Sequence, residues 1–310
     1  MDWVYIAIIA YTILAVGNLT DKFLLDKALP SSKAYTFLVN IAGGLVIFGA
    51  PFLAKWVGWP MLFVHLLVGA IFPLALSLMY QALKNGEPSR VTVLVGGSVP
   101  LFSLIFSITF LHEKFNANQW PAIIGLIIAM CLIIWLPKKR SWLDNAFSWF
   151  SPKKNNAIGI FEAVAAGFFF AVFAVASKAL YSNLGFSSTF IWLRLGSALA
   201  VLTLLISPNS RREIIKSIKN LQGKKAAIFY GNQMLSAVGY SLQQYAISLG
   251  SLAIVSALQG VQFSLLIIFG ALLSAFRPGI IKEKISRGII IQKVIAVIII
   301  IGSIYLLTKK

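Results

Sequence analysis

The feature that most constrains this chain is a stretch that occurs twice. Shifting the sequence by 164 positions lays Ser77–Leu101 on Ser241–Leu265. Ser77 then meets Ser241, Leu78 meets Leu242, Ala82 meets Ala246 and Gly86 meets Gly250. Val91, Leu94, Gly96 and Leu101 meet Val255, Leu258, Gly260 and Leu265, which gives eight identities in 25 positions. Each copy reads as the end of an apolar helix, a tight turn at a glycine, and a second helix. Small residues or a proline recur every four positions on that second helix: Thr92, Gly96 (with Gly97 beside it) and Pro100, then Ser256, Gly260 and Ser264. Residues spaced by four share a helix face, and small ones let two backbones approach closely in lipid. A duplicated helical hairpin of this kind predicts a membrane protein built from two halves.

Composition agrees with a bilayer as the solvent. The chain is 59% hydrophobic and only 12% charged over 310 residues, less charge than a soluble domain carries. A net charge of +18 could suggest nucleic acid. The lysines and arginines instead fall in short segments between apolar runs, which excludes a nucleic-acid face and matches the positive-inside pattern. A span needs ~20 mostly apolar residues. Ten segments qualify: 3–20, 34–53, 61–84, 89–110, 118–136, 157–180, 188–207, 225–249, 252–275 and 289–307. The expected fold is therefore an all-α membrane protein of ten transmembrane helices. The first helix follows Met1-Asp2 without a basic leader, which predicts a retained span and no cleaved signal.

The long connection 137–156 divides the chain into a five-helix repeat at 1–136 and a second at 157–310. Within the connection Trp142, Leu143, Ala146, Trp149 and Phe150 fall at helical spacing between basic clusters, the pattern of a short helix in the headgroup layer. The connections after spans 1, 3, 5, 7 and 9 carry 21 basic residues and the opposite side carries four. The basic side is expected to be cytoplasmic, against anionic headgroups, with both chain ends outside the cell membrane. Five is odd, so the two repeats enter the membrane from opposite sides and are inverted. Ala15-Val16 and Lys22 of span 1 also align with Ala171-Val172 and Lys178 of span 6.

This organisation resembles the EamA-type members of the drug/metabolite transporter superfamily. Leu111-His112-Glu113 closing span 4, then Gln119 and Gly125, look like that family's half-ending, with Glu283 and Gly302 as the second copy. Asn-Gly-Glu-Pro-Ser at 85–89 resembles its turn between helices 3 and 4. Met130-Cys131 stands where the family often has a further glycine, and family members are usually drawn with cytoplasmic ends. The resemblance implies a secondary transporter, an exporter of amino acids, related metabolites or xenobiotics, with a cavity lined by helices such as 3, 4, 8 and 9.

Polar groups within spans must face partners or a wet cavity. The candidate pathway residues are Asn18, Tyr80, Gln81 and Ser98 in the first half, and Arg194, Asn232, Gln233, Tyr240, Gln243, Gln244, Tyr245, Gln259 and Gln262 in the second. Arg194 lies roughly 10 Å deep at 1.5 Å per residue; it either meets a carboxylate-bearing solute or bonds backbone carbonyls. Glu162 and Lys178 near the ends of span 6 are expected to snorkel, and His65 to be interfacial. Neither span 1 nor span 6 shows an acid at mid-depth, which argues for facilitated or exchange transport. No HExxH, Walker or dinucleotide motif appears, so neither catalysis nor a metal or cofactor is expected. Alternatives from the same pattern are a lipid-linked carrier flippase and a non-transporting scaffold. A duplicated chain completes its own fold, which favours a monomer.

Overall fold

The computed structural model describes residues 2–27, 31–85, 88–134, 154–276 and 287–308. Among the described residues every regular element is helical, as expected for spans whose backbone must satisfy itself in lipid. The first half runs α1 (Asp2–Lys27), α2 (Ser32–Gly44), a 3-10 turn Leu45–Gly49 leading into the short α3 (Ala50–Leu53), α4 (Trp59–Asn85), α5 (Pro88–Thr109) and α6 (Gln119–Ile134). The second runs α7 (Lys154–Leu184), α8 (Phe186–Leu202), α9 (Pro208–Asn220), α10 (Gly223–Leu249), α11 (Leu252–Ala257), α12 (Gln259–Phe276) and α13 (Arg287–Thr308).

Five stretches are long and apolar enough to cross a membrane on those grounds alone: Asp2–Asp21, Ser32–Leu53, Trp59–Ala82, Ile158–Leu184 and Phe186–Leu205. Shorter apolar helices lie at Leu94–Thr109, Gln119–Leu132, Leu252–Leu266 and Val294–Leu307. Among the described residues, five helices thus qualify by length and hydropathy and four more are apolar but shorter. α10 has the length, at 27 residues, but Asn232, Gln233, Gln243 and Gln244 interrupt its apolar character.

Three further expectations change. The segment after span 7 is an amphipathic helix, α9, and not a loop. Its Ile214 is 1% exposed and joins Leu24, Tyr35, Leu221 and Phe229 in a small apolar cluster. Span 9 is interrupted at Leu258, so α11 and α12 are separate helices. The hydroxyl of Tyr11 on α1 donates to the Val255 carbonyl at 2.8 Å, the group that an unbroken helix would pair with the amide of residue 259. Finally α7 begins at Lys154, ahead of the expected 157; most of the proposed interfacial helix at 137–156 lies outside the described residues.

The largest packing interfaces join the two halves. α4 packs on α7, α1 on α10, α5 on α7, α4 on α8, α6 on α13, α2 on α8, and α1 on α12. Exchanging each helix with its counterpart five spans away turns α4–α7 into α10–α1, and α5–α7 into α12–α1. α6–α13 and α2–α8 map onto themselves. One pair breaks the pattern: α4 lies close along α8, whereas its counterpart pair, α10 and α2, barely touches.

The α4–α8 crossing shows how sequence builds such an interface. Pro73 has no amide hydrogen, so the carbonyl of Gly69 four residues earlier loses its helical partner. Ser197 of α8 supplies the replacement, its hydroxyl donating to the Gly69 oxygen at 2.7 Å. Side chains are absent from both backbones at the crossing: a Cβ on Gly196 would lie 2.5 Å from the Leu66 carbonyl oxygen, and one on Gly69 would strike the Leu193 carbonyl. The expectation placed close approach on the faces of spans 4 and 9. Gly260 there is in ordinary contact with Ile300, Leu126 and Met130. Gly97 is corrected: a Cβ at that position would meet open space, because the neighbouring helix approaches α5 on another face, where Ser98 packs against Gly167 of α7.

Candidate functional site: a polar file along α10

Four polar side chains repeat at intervals of four on α10: Asn232, Ser236, Tyr240 and Gln244. Steps of four turn the row by about 120° as it extends about 18 Å along the axis, so Asn232 and Ser236 face α1 while Tyr240 and Gln244 face α7 and α8. Two clusters are built on this row.

At one end Asn232 donates through Nδ2 to Oδ1 of Asp21 on α1, and Tyr35 of α2 donates its hydroxyl to the same oxygen. Gln233 donates to the Tyr35 hydroxyl at 3.4 Å. The Tyr35 ring meets Tyr80 and Phe229 edge-on, with centroids 6.0 and 5.6 Å away. One carboxylate thereby ties α1, α2 and α10 together. Asp21 sits one residue beyond the end assigned to span 1, so the expectation of no acid at mid-depth in that span is untouched by it.

At the other end Gln244, 3% exposed, donates to the Tyr240 hydroxyl at 2.8 Å and accepts from Tyr181 of α7 at 3.3 Å. The Tyr240 ring faces the guanidinium of Arg194 on α8, with Cζ 4.4 Å from the centroid. Phe72 of α4 and Phe190 complete an aromatic box around the charge at 5.6 and 5.9 Å. On its remaining side the guanidinium rests on Gly43 of α2, where an added Cβ would fall 2.8 Å from Cζ. Arg194 is 7% exposed, and its Nε and Nη1 have no hydrogen-bond acceptor. Asn232 Oδ1 and Ser236 Oγ are also buried without a partner. Unmatched polar atoms thus recur along the file, and polar atoms so placed cost free energy unless something else meets them.

The structure gathers some of the sequence candidates and separates others. Tyr80, Arg194, Asn232, Gln233 and Gln244 belong to these two clusters. Asn18 is exposed, Gln81 is exposed and bonds Ser77 on its own helix, and Tyr245 is 38% exposed against Phe186. Ser98 bonds the Val95 carbonyl at the α5–α7 contact. Gln262 is buried and Gln259 half-buried just after the break in span 9; neither bonds the file. Ser264 bonds the Gly260 carbonyl at 2.9 Å, and Gly96 and Pro100 are buried in α5. The reasoning from sequence included Tyr240 but missed Asp21, Tyr35, Tyr181 and Ser236; the four-residue spacing of polar groups from 232 to 244 was the available signal for Ser236.

Two other residues depart from expectation. His65 is fully buried, with Nδ1 2.7 Å from the Met61 carbonyl, so it is not interfacial. Lys178 does not snorkel: its ammonium donates to the Ser248 and Gly250 carbonyls at 3.1 and 2.8 Å, at the C-terminal end of α10. Glu113 caps the start of α11 beside it, accepting from Ser251 Oγ at 2.6 Å and the Leu252 amide at 3.0 Å. Opposite charges therefore meet opposite helix dipole ends at one turn.

Comparison with known proteins bears on the whole arrangement. Residues 1–135 match the EamA-like transporter family. A solved crystal structure described only as that of a protein superposes with a TM-score of 0.65 at 17% identity, covering 98% of this chain and 94% of that one. At that identity the fold alone is shared. No curated protein sequence matches the chain.

Proposed function

We propose that this protein, whose residues 1–135 match the EamA-like transporter family, is an EamA-type secondary transporter that exports small polar or amphipathic solutes such as amino acids and their relatives. In this reading ten spans form two inverted five-helix repeats, 1–136 and 157–310. The chain lies in the cell membrane as a monomer, with both ends outside and its basic face against anionic lipid headgroups.

The observation that carries the reading is the polar file Asn232–Ser236–Tyr240–Gln244, with its unmatched atoms, at the junction of both halves. Packing glue would use polar groups in closed pairs, as Tyr240 and Gln244 form; the open Oδ1 of Asn232 and Oγ of Ser236 suit a wet path. The unequal pairs α4–α8 and α2–α10 support alternating access. Inverted repeats exchange conformations when the molecule switches sides, so counterpart interfaces are expected to be closed on one side and parted on the other.

The test is accessibility. On a Cys131→Ser background, Ser236→Cys is expected to react with a membrane-impermeant thiol reagent. Ile298→Cys, on a side chain 62% exposed and read as facing lipid, is expected to stay inert. A counterflow screen of amino acids and amines in proteoliposomes then seeks the solute, which should protect the cysteine at 236. Equal inertness of both cysteines would leave a dry interior and remove the transporter reading.

A further inference from the structure

Arg194 holds a charge that no acidic side chain answers among the described residues. It lies about 12 Å along α8 from Phe186 at 1.5 Å per residue. A guanidinium remains protonated in any protein environment, so three kinds of partner could settle it: a carboxylate, backbone carbonyls or aromatic faces. Among the described residues no carboxylate lies within ion-pair distance of Arg194. Asp21 is engaged by Tyr35 and Asn232, Glu113 by Ser251 and Leu252, and Glu213 by Ser31 and Lys33. Carbonyls do not serve either, since Nε and Nη1 lack any acceptor. The aromatic faces of Tyr240, Phe72 and Phe190 remain. A ring face attracts the charge but offers no lone pair to an in-plane N–H.

We propose that Arg194 receives the carboxylate of the transported solute. The solute class is a small organic acid, amino acids included, with an apolar or aromatic body resting on Phe72, Phe190 and Tyr240. The division of labour follows from geometry. Rings hold the cation in place by its charge, Gly43 lets it lie against the α2 backbone, and Nε and Nη1 keep unmet donors that are covered here, so an anion reaches them only when the surrounding helices part. Fixed in this way, the arginine loses little freedom on binding. The inference rests on the transporter reading and names the chemistry its solute must carry.

The experiment uses the purified full-length protein and Arg194→Met, which keeps the length of the side chain and removes the charge. Without solute, Arg194→Met is expected to unfold at a temperature equal to or above that of the wild type, because an unanswered buried charge has been removed. Phenylacetate, benzoate and phenylalanine serve as probes, with phenylacetamide and phenethylamine as matched controls. At least one acid is expected to raise the unfolding temperature of the wild type, with no rise from its neutral or cationic counterpart. Arg194→Met is expected to lose that response by ~10-fold or more in apparent affinity, about the free energy of one charge-assisted hydrogen bond. Arg194→Lys should fall between the two.

The assignment is overturned if amides stabilise as well as acids, if the acids act equally on Arg194→Met, or if no acid stabilises the wild type. A drop in the solute-free unfolding temperature of Arg194→Met would make the arginine a structural anchor and also overturn it. Counterflow of a neutral solute that survives Arg194→Met would leave transport standing while removing this site. Failure of every solute, together with an inert cysteine at 236, would remove both.

Discussion

The α4–α8 crossing gives a prediction whose size can be worked from coordinates. In Gly196→Ala the new methyl would lie 2.5 Å from the Leu66 carbonyl oxygen and 2.7 Å from its Cα. Both are backbone atoms, so no side chain can rotate away. The helices must part by about 1 Å to reach ordinary van der Waals separation. Overpacking of this kind costs ~1–3 kcal/mol. The same movement stretches the 2.7 Å bond from Ser197 to the Gly69 carbonyl beyond useful length. That carbonyl has already lost its helical partner to Pro73, and leaving it unmet adds ~1–3 kcal/mol. Gly196→Ala is therefore expected to destabilise by ~2–5 kcal/mol, and Gly69→Ala by a similar amount. The double variant should cost little more than the worse single one, because the first methyl already separates the helices. Gly97→Ala makes the same chemical change where a Cβ meets open space. It should be neutral or stabilising by up to ~1 kcal/mol, since alanine is the better helix former. Thermal unfolding of the purified protein, followed by tryptophan emission, reads all four, at ~2–4 °C per kcal/mol for a chain of this order of size. Equal unfolding temperatures for Gly196→Ala and Gly97→Ala, or additive losses in the double variant, would refute the reasoning.

Further predictions follow from the same contacts. Tyr35→Phe removes the donor to Asp21 and the acceptor of Gln233, and should cost ~1–3 kcal/mol. Asp21→Asn keeps an acceptor oxygen and should cost less; the reverse order in thermal unfolding would count against the cluster as drawn. Glu113→Ala removes the cap from α11 and should cost ~1–2 kcal/mol while speeding hydrogen exchange of the amides at 252–254, whereas Glu113→Gln should do less. The α9 helix turns Arg212, Lys216 and Lys219 outward around a shallow hollow that also includes Ile215 and Asn220, opposite the buried Ile214. Neutralising all three to glutamine should remove most of the extra thermal stability that phosphatidylglycerol gives over phosphatidylcholine, at ~1 kcal/mol per charge. Lys55→Gln with Lys114→Gln should leave that difference intact; an unchanged difference in the α9 variant would refute the assignment to this helix.

Much of the architecture was legible because lipid leaves the backbone few options. A run of apolar residues long enough to span must be helical, so the element positions could be read from composition along the chain. The hairpin turn at Gly250 was legible for the same reason: it interrupts that composition between α10 and α11. α9 was not. Its register is set by one apolar side chain, Ile214, docking on Tyr35 and Phe229, and its three turns are otherwise polar enough to pass for a loop. The break at Leu258 was hidden too. Nothing local to Val255 breaks a helix there; the cause is a hydroxyl 244 positions away, on Tyr11.

The site divides along the same line. A sequence shows that a polar residue lies within a span, but which face it occupies depends on what packs beside it. Gln244 and Tyr245 are neighbours and were equal candidates; one full helical step of 100° buries the first against Tyr181 and leaves the second on the outside. Asp21 was not among the candidates because it falls one residue past an assigned boundary, and boundaries inferred from hydropathy ignore the partners that let a helix carry an acid inward. Here those partners are Tyr35 and Asn232, from two other helices. Arg194 is the opposite case. Its depth alone marked it, since an intramembrane cation must be answered by something. The sequence could not decide between a carbonyl, an aromatic face and an external anion. The structure removes the first for Nε and Nη1, which have no acceptor, and supplies the second in Tyr240.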